Sequence, residues 1–500
     1  CSNAGAGVRA RAYGRPLRGR LTGRGIMQTK ALILAAGAGT RMKSEKPKVA
    51  HEVLGKPLVR WVVDAAHDAG IEDVITVVGH LREQVEPLVA ADTRIVFQAQ
   101  RRGTADAVEA ARAALTREDG TIEPGSLVVL SGDCPLVSPE TIARLVRVRE
   151  EQDAAVVVLT MDMADPFGYG RIVRDRDGSA DGVARIVEQK DCSPEEAAIT
   201  ECNAGFYCFD APALFDALTR VSDDNAQGEF YLTDVLEICR NDGRKVLALK
   251  TADAQEAMGI NSRRQLAQAT RAMQQRINGR HMDNGVTMLD PDTVWIGPDV
   301  TIEPDVELLP MTMLWGATSI GRDSVIGPNT RLTDTVVGCG CRVDETVAEQ
   351  TRIDDAATTG PRAYLRPGTH LCRGAKAGTH VEIKKSVIGE GSKVPHLSYI
   401  GDTMMGSGVN VGAGSITCNY DGVNKHTTVI GDNVFIGSDT MMVAPLNIGE
   451  GAIVGAASCI TRDVTADALA LERNDQREIP GWAAKHMAKL RAAKEAGEGK

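Results

Sequence analysis

The sequence predicts two modules of different class in one chain: an α/β domain with a mainly parallel sheet, followed by a parallel β-helix. Three observations carry this reading. From residue 30 to about 255, short β-rich runs alternate with helical patterns. From residue 294 the hydrophobic period changes to six. Between the two, residues 262–283 read as one helix, with Ser262 and Gln265 at capping-box spacing and Asn284-Gly285 as its stop. A chain of 500 residues exceeds a single core in any case.

In the first module the strand candidates are 31–34, 74–78, 95–98, 127–130 and 155–159. Leu58, Val62, Ala65, Ala66 and Ala69 share one face of a helix between the first two. Ligands bind such sheets at the carboxyl ends of the strands, and two loops fall there. One is Ser131-Gly132-Asp133; the other is L-A-A-G-A-G-T-R-M at 34–42, followed by Pro47-Lys48. In the second loop, Gly37 and Gly39 permit a tight turn and let N–H groups approach phosphate. Arg41 and Lys48 add cationic donors. The loop lacks the Lys-Ser/Thr ending of a Walker motif, and its glycines miss the dinucleotide spacing.

In the second module Ile296, Ile302, Leu308, Leu314, Ile320, Ile326 and Leu332 recur at six-residue steps. Two positions before them stand Val294, Val300, Val306, Thr312, Thr318, Ser324 and Thr330, all small or β-branched. The pattern returns as Ile430, Ile436, Met442, Ile448, Val454 and Ile460. A period of six suits neither an α-helix nor a flat strand. It suits a triangular coil of three hexads, with each aliphatic plugging the prism. The span 294–460 predicts roughly nine coils stacked at ~4.8 Å. The repeat weakens around 338–364, and an insertion at 419–425 breaks it between 401 and 429. Solenoids place binding groups on such insertions. The methionine pairs Met404-Met405 and Met441-Met442 read as adaptable packing.

Composition narrows the function. The formal charge is −10, although residues 1–26 hold six arginines and no acid. An acidic body argues against a nucleic-acid partner. The basic head has no apolar core, so it is no secretory signal. Met27 leads directly into the first strand, so residues 1–26 are expected to be upstream, disordered sequence. Eleven cysteines include no C-x-x-C pair, which argues against zinc by spacing and suits a reducing, cytoplasmic location. No apolar stretch approaches a membrane span.

The string at 34–42 with Pro47-Lys48 resembles the signature of sugar-1-phosphate nucleotidyltransferases. The resemblance implies a Rossmann-like α/β domain; that to the hexapeptide-repeat family implies a left-handed β-helix. Together the modules resemble the bacterial bifunctional family that joins N-acetylglucosamine-1-phosphate uridylyltransferase to glucosamine-1-phosphate acetyltransferase. Further matching motifs include Gly103-Thr104, Gly168-Tyr-Gly-Arg-Ile, Val187-Glu-Gln-Lys-Asp, Asn203-Ala-Gly, Gly259-Ile-Asn, Leu365-Arg-Pro-Gly, His396-Leu-Ser-Tyr and Cys418-Asn-Tyr-Asp-Gly. The implied domains are 27–261 for uridylyl transfer, a linker helix at 262–285, a β-helix acetyltransferase at 286–480 and a tail at 481–500.

For the uridylyl site the resemblance implies Leu34, Ala35, Ala36, Gly37, Lys48, Gln98, Gly103, Thr104, Ser131, Gly132, Asp133, Gly170, Glu188, Asn203 and Asn261. Asp133 and Asn261 match the ligands of a divalent ion of the Mg²⁺ type, which needs few protein oxygens because phosphates and water fill the rest. Lys48 would offset triphosphate charge, and the Gln98 amide suits the uracil edge. At Ser131 relatives often carry Tyr.

For acetyl transfer an amine must lose a proton before it attacks a thioester, so a base of near-neutral pKa is needed. The resemblance assigns His396. It gives Arg366, Lys384, Tyr399, Asn410 and Lys425 to the sugar phosphate. Ala413, Asn419, Tyr420, Ser438, Ala456 and Arg473 fall to acetyl-CoA. UTP and acetyl-CoA are the implied co-substrates, and a homotrimer the implied assembly. Two other readings stay open: a single-activity pyrophosphorylase whose β-helix serves assembly, and a non-catalytic regulatory subunit built from the same modules.

Overall fold

The computed structural model describes residues 28–37, 39–175 and 181–497. The expected disordered head, residues 1–26, lies outside them, as does Ala38 of the glycine loop. The chain divides into two compact units, the first ending at Arg276 and the second beginning at Ile277.

The first unit is built on a mixed, mainly parallel sheet. Its strand order is Val246–Lys250, Val156–Asp162, Glu201–Asp210, Ser126–Ser131, Lys30–Ala35, Asp73–Val78, Arg94–Phe97. Only Glu201–Asp210 runs antiparallel to its neighbours on this path. Leu32 and Ile33 are both fully buried, in separate apolar clusters on opposite sides of the sheet. Both faces are covered, so the central strand reads as an unbroken apolar run with no alternation. Its first residue, Lys30, is 7% exposed and pairs with Asp73 at 2.6 Å and Glu123 at 2.9 Å. Helix Leu58–Asp68 buries Leu58, Val62, Ala65 and Ala66 as its spacing predicts.

The helix expected at 262–283 spans Arg263–Asp283. Gly285, at φ +91°, follows it, and its N–H reaches the Met282 carbonyl at 3.0 Å. It is a packed element: Ala269, Gln274 and Asn278 are buried. The Asn278 amide donates to the carbonyls of Pro291 and Val294.

The second unit is a left-handed parallel β-helix whose three sheets hold eleven, ten and nine strands among the described residues. Every aliphatic of the six-residue pattern named above is at most 6% exposed. The small residues two positions earlier are buried with their hydroxyls satisfied. Thr312 Oγ1 donates to the Leu309 carbonyl at 2.7 Å, and Thr318 Oγ1 to that of Trp315 at 2.7 Å. The prism is longer than the expected span of roughly nine coils over 294–460. It starts at Thr287–Met288 and ends at Leu469–Ala470, where the repeat loses its aliphatic regularity. The weak stretch at 338–364 is continuous β-helix with shortened corners. Val337 faces Ile353, sixteen residues on, where Leu314 faces Leu332 eighteen on. Glu345 and Gln350, both at positive φ, stand in that stretch. Met405 and Met442 pack inside the prism, whereas Met404 is half exposed. The tail carries a helix, Trp482–Gly497.

Candidate active sites

The first site forms at the carboxyl ends of the two central strands. Lys30–Ala35 and Ser126–Ser131 are parallel neighbours, so the loops after them are adjacent. The Gly132 N–H donates to the Leu34 carbonyl at 2.9 Å, and the His80 N–H to that of Ala36 at 3.3 Å. Ala35 and Ala36 are buried; Gly37 is exposed. The conformational demand falls on Gly39. Its φ is +62°, and a Cβ there would overlap that of Lys48.

Lys48 is the hub. Its Nζ lies 2.5 Å from Asp133 Oδ2 and 3.0 Å from Asn261 Oδ1, joining residues 85 and 213 positions away. Both side chains of the ion pair are 15% exposed. The Ile260 N–H donates to the Asp133 carbonyl at 3.0 Å, tying this loop to 259–261. Gln265 Oε1 accepts from the Asn261 N–H at 2.9 Å. The predicted cap is therefore present, with Ser262 Oγ accepting from the Gln265 N–H, but its reciprocal half reaches Asn261.

The other uridylyl residues gather in two groups. Gln98 is buried, and its Nε2 donates to Asp106 Oδ2 at 2.8 Å, so its amide orientation is fixed by a carboxylate the motif does not contain. Thr104 Oγ1 accepts from the Leu232 N–H at 3.0 Å. At Gly103, φ +127°, a Cβ would strike the Phe230 backbone. In the second group the Asn203 N–H donates to the Gly170 carbonyl at 2.8 Å. The Asn203 side chain bridges the Tyr207 hydroxyl and the Gly205 N–H. Glu188 accepts from the Thr233 hydroxyl at 3.4 Å. Burial chiefly, with Asp234 and Asp191, pushes its carboxyl above the usual range, against Thr233 and Arg171. Buried Arg171 donates to the Tyr169 carbonyl and to Gln189, holding the turn that carries Gly170. Ser131 Oγ lies near Gly205.

The second site lies on the β-helix, where register places each side chain. Thr379 and His396 are strand partners, and the strands that follow on the same sheet lead to Ala413, Ser438 and Ala456 at the same corner. Arg473 donates to the Ala456 carbonyl at 3.1 Å. His396 is exposed, and Asn410 sits on that same sheet.

The next sheet carries the basic cluster. Arg366 donates to Glu382 at 2.9 Å. Lys384 is the strand partner of Gly401. The inserted segment turns back as a hairpin: Asp421 accepts from the N–H groups of Val423 and Asn424 and pairs with His426 at 2.7 Å. This puts Lys425 against Lys384. The Lys425 ammonium chiefly holds Lys384 below the usual lysine range, with Arg366 adding to the effect and Asp402 opposing it. Two ammoniums and a guanidinium held together favour an anion. Asn419 is buried, donates to Asp402 at 2.5 Å and lies with the Tyr399 hydroxyl over Gly401. Tyr420 is exposed in the hairpin.

The structure thus brings Lys48, Asp133 and Asn261 together; Gly170, Glu188 and Asn203 together; and Arg366, Lys384, Tyr399, Lys425 and Asn419 together. Among the described residues no hydrogen bond or ion pair joins His396 to the basic cluster within one chain. Sequence reasoning gave no role to several residues that hold these groups: Gln265, Asp106, Thr233 and Tyr207. Of these, only Gln265 left a signal, as half of a capping pair.

A phosphate-handling α/β unit followed by a hexapeptide-type β-helix defines a nucleotidyltransferase fused to a β-helix transferase. A MobA-like NTP transferase domain matches residues 31–237. The chain is 47% identical over 452 residues to the bifunctional protein GlmU of Desulfitobacterium hafniense, covering 90% of this chain and 98% of that protein. The GlmU proteins of Syntrophomonas wolfei, 46% identical over 91% of this chain and 99% of theirs, and Streptomyces avermitilis, 47% over 94% and 97%, match similarly. The chain belongs to the bifunctional GlmU family, which joins a uridylyltransferase to an acetyltransferase.

Proposed function

We propose that the second unit transfers the acetyl group of acetyl-CoA to glucosamine-1-phosphate, and that the first unit then transfers UMP from UTP to the N-acetylated product. Pyrophosphate and UDP-N-acetylglucosamine, a cell-wall precursor, are released. The observation that carries this is the coexistence in one chain of the Lys48–Asp133–Asn261 cluster and the Arg366–Lys384–Lys425 cluster. Each suits a phosphorylated substrate.

In the first unit, Asp133 and Asn261 direct two hard oxygens at one cationic centre, here the Lys48 ammonium. That donor set fits Mg²⁺, which accepts carboxylate and amide oxygens and takes its other ligands from phosphates and water. When bound, Mg²⁺ neutralises phosphate charge. Lys48 adds a second, fixed charge at the triphosphate. Gln98, held by Asp106, reads the uracil edge; Glu188 and Asn203 hold the sugar. The role of these groups is to align the sugar phosphate oxygen with the α-phosphorus and balance charge.

In the second unit, Arg366, Lys384 and Lys425 bind the sugar phosphate. His396 takes a proton from the sugar ammonium; the amine attacks the thioester carbon, and coenzyme A leaves as the thiol. Ala413, Ser438 and Ala456 line the corner along which acetyl-CoA lies. His396 ends a strand of one sheet and the basic cluster lies on the next sheet, with no hydrogen bond or ion pair between them among the described residues, so the complete site forms where prisms of neighbouring chains meet in a homotrimer. A cytoplasmic setting supplies UTP and acetyl-CoA; no helix among the described residues is long and apolar enough to cross a membrane.

A paired assay on the purified chain tests the reading: Mg²⁺-dependent pyrophosphate release from UTP with N-acetylglucosamine-1-phosphate, and thiol release from acetyl-CoA with glucosamine-1-phosphate. Both are expected. Pyrophosphate release alone would favour the single-activity enzyme, and neither the regulatory subunit.

A further inference from the structure

The third sheet of the β-helix carries a side-chain cluster that neither active site uses. Strands Arg352–Ile353 and His370–Leu371 are parallel neighbours, with Arg352 opposite His370. Ile353 and Leu371 point into the prism and are fully buried. Strand alternation therefore turns Arg352, Asp354, His370 and Cys372 outward as a two-by-two patch on adjacent coils. The backbone fixes the outer pair: the Asp354 N–H donates to the Leu371 carbonyl, and the Cys372 N–H to that of Ile388, both at 2.8–2.9 Å. Asp354, His370 and Cys372 each offer one ligand atom, and these atoms all lie within 4.8 Å of one another.

We propose that Asp354 Oδ2, His370 Nε2 and Cys372 Sγ bind a borderline divalent transition-metal ion of the Zn²⁺ type. The donor set is the first argument. Carboxylate oxygen, imidazole nitrogen and thiolate sulfur are the three Zn²⁺ donor types; Mg²⁺ would not take the sulfur. Orientation is the second. Arg352 Nε holds Asp354 Oδ1 at 2.7 Å, which leaves Oδ2 facing His370 Nε2, also at 2.7 Å. Tetrahedral Zn²⁺ places its ligand atoms roughly 3.3–3.8 Å apart, so the ion fits after the carboxylate and imidazole part by under ~1 Å. All three residues are partly exposed, which gives the ion a path in and leaves a fourth position for water. Three ligands from two coils make the ion a staple between them, in the part of the prism where the corners are shortened.

The test uses the full chain, stripped with chelator and titrated with Co²⁺ alone. One ion per chain is expected to give a thiolate-to-cobalt charge-transfer band, displaced by Zn²⁺. The Asp133–Asn261 oxygens cannot produce that band. Cys372→Ser should abolish it, and Cys459→Ser, at an exposed thiol of the same unit, should leave it unchanged. His370→Ala should weaken binding by at least ~10–100-fold, the loss that even outer-shell changes cause. A readout free of variants is alkylation mapped by mass spectrometry, in which Zn²⁺ should protect Cys372. The proposal is overturned if no charge-transfer band appears, if it survives Cys372→Ser, or if Zn²⁺ leaves Cys372 open to alkylation.

Discussion

Lys48 shows how much of the first site rests on a single side chain held from several directions. The Gly39 backbone approaches its Cβ, and its ammonium meets an acid and an amide from distant segments. Asn261 is in turn held by Gln265. Removing that support with Gln265→Ala should raise the Mg²⁺ concentration needed for half-maximal pyrophosphate release by roughly tenfold, as for other outer-shell changes. Thiol release should not change. In the second unit the corresponding position is Gly401, over which the Tyr399 hydroxyl and the Asn419 amide lie. A Cβ there would displace both. Gly401→Ala should raise the KM for glucosamine-1-phosphate and lower the melting temperature, consistent with an overpacking cost of about 1–3 kcal/mol. Uridylyl transfer should stay normal.

At the scale of elements, the central strand is clamped at its start by a charge network. Asp73 joins Lys30, its strand partner, to Arg94 on the next strand. Burial pushes the Asp73 carboxyl up, but Lys30 and Arg94 outweigh it and hold it below the usual range. A depressed carboxyl stabilises the fold above its unfolded pKa of about 4, and that stability is lost as the pH falls through the lower folded value. Asp73→Asn should therefore cost about 2 kcal/mol at pH 7. The gap to the parent protein in urea melts should narrow as the pH falls below about 4. The same strands show what a sequence carries. Those expected at 31–34, 74–78, 95–98, 127–130 and 155–159 are found within a few residues of their predicted ends. Burial on both faces writes a continuous apolar run in the inner strands, whereas Arg94–Phe97, at the sheet edge, is only partly buried and shows itself by its β-branched and aromatic residues. Glu201–Asp210 was not predicted: its pairing shifts between Asn203 and Tyr207, and the Asn-Ala-Gly there reads as a turn. In the β-helix the inward aliphatics were legible wherever corners kept their length. At 338–364 shorter corners broke the period without breaking the prism. The residues that the structure brings together are named by motif, whereas partners such as Asp106 and Thr233 are not, because they act across folded space from positions with no pattern of their own.

For the whole molecule, two proposed chemistries fall to two units whose site residues do not overlap. Lys48, Asp133 and Asn261 of the first site meet within one chain. The residues of the second lie on two adjacent sheets, with no hydrogen bond or ion pair between His396 and the basic cluster among the described residues, so acetyl transfer should require assembly. Sedimentation should find a trimer, and conditions that dissociate it should remove thiol release before pyrophosphate release; an active monomer would contradict the shared site. The most direct measurement is the paired assay on two variants. His396→Ala should lower thiol release by on the order of 10²–10⁴-fold, as for loss of a positioned base, and leave pyrophosphate release near normal. Asp133→Ala should do the reverse, since it removes an oxygen that balances charge at the phosphates. Losses at sites that share no partners should not couple. If each folded, trimeric variant loses one activity and keeps the other, the two-site account stands; if either loses both, or His396→Ala keeps full acetyl transfer, it is contradicted.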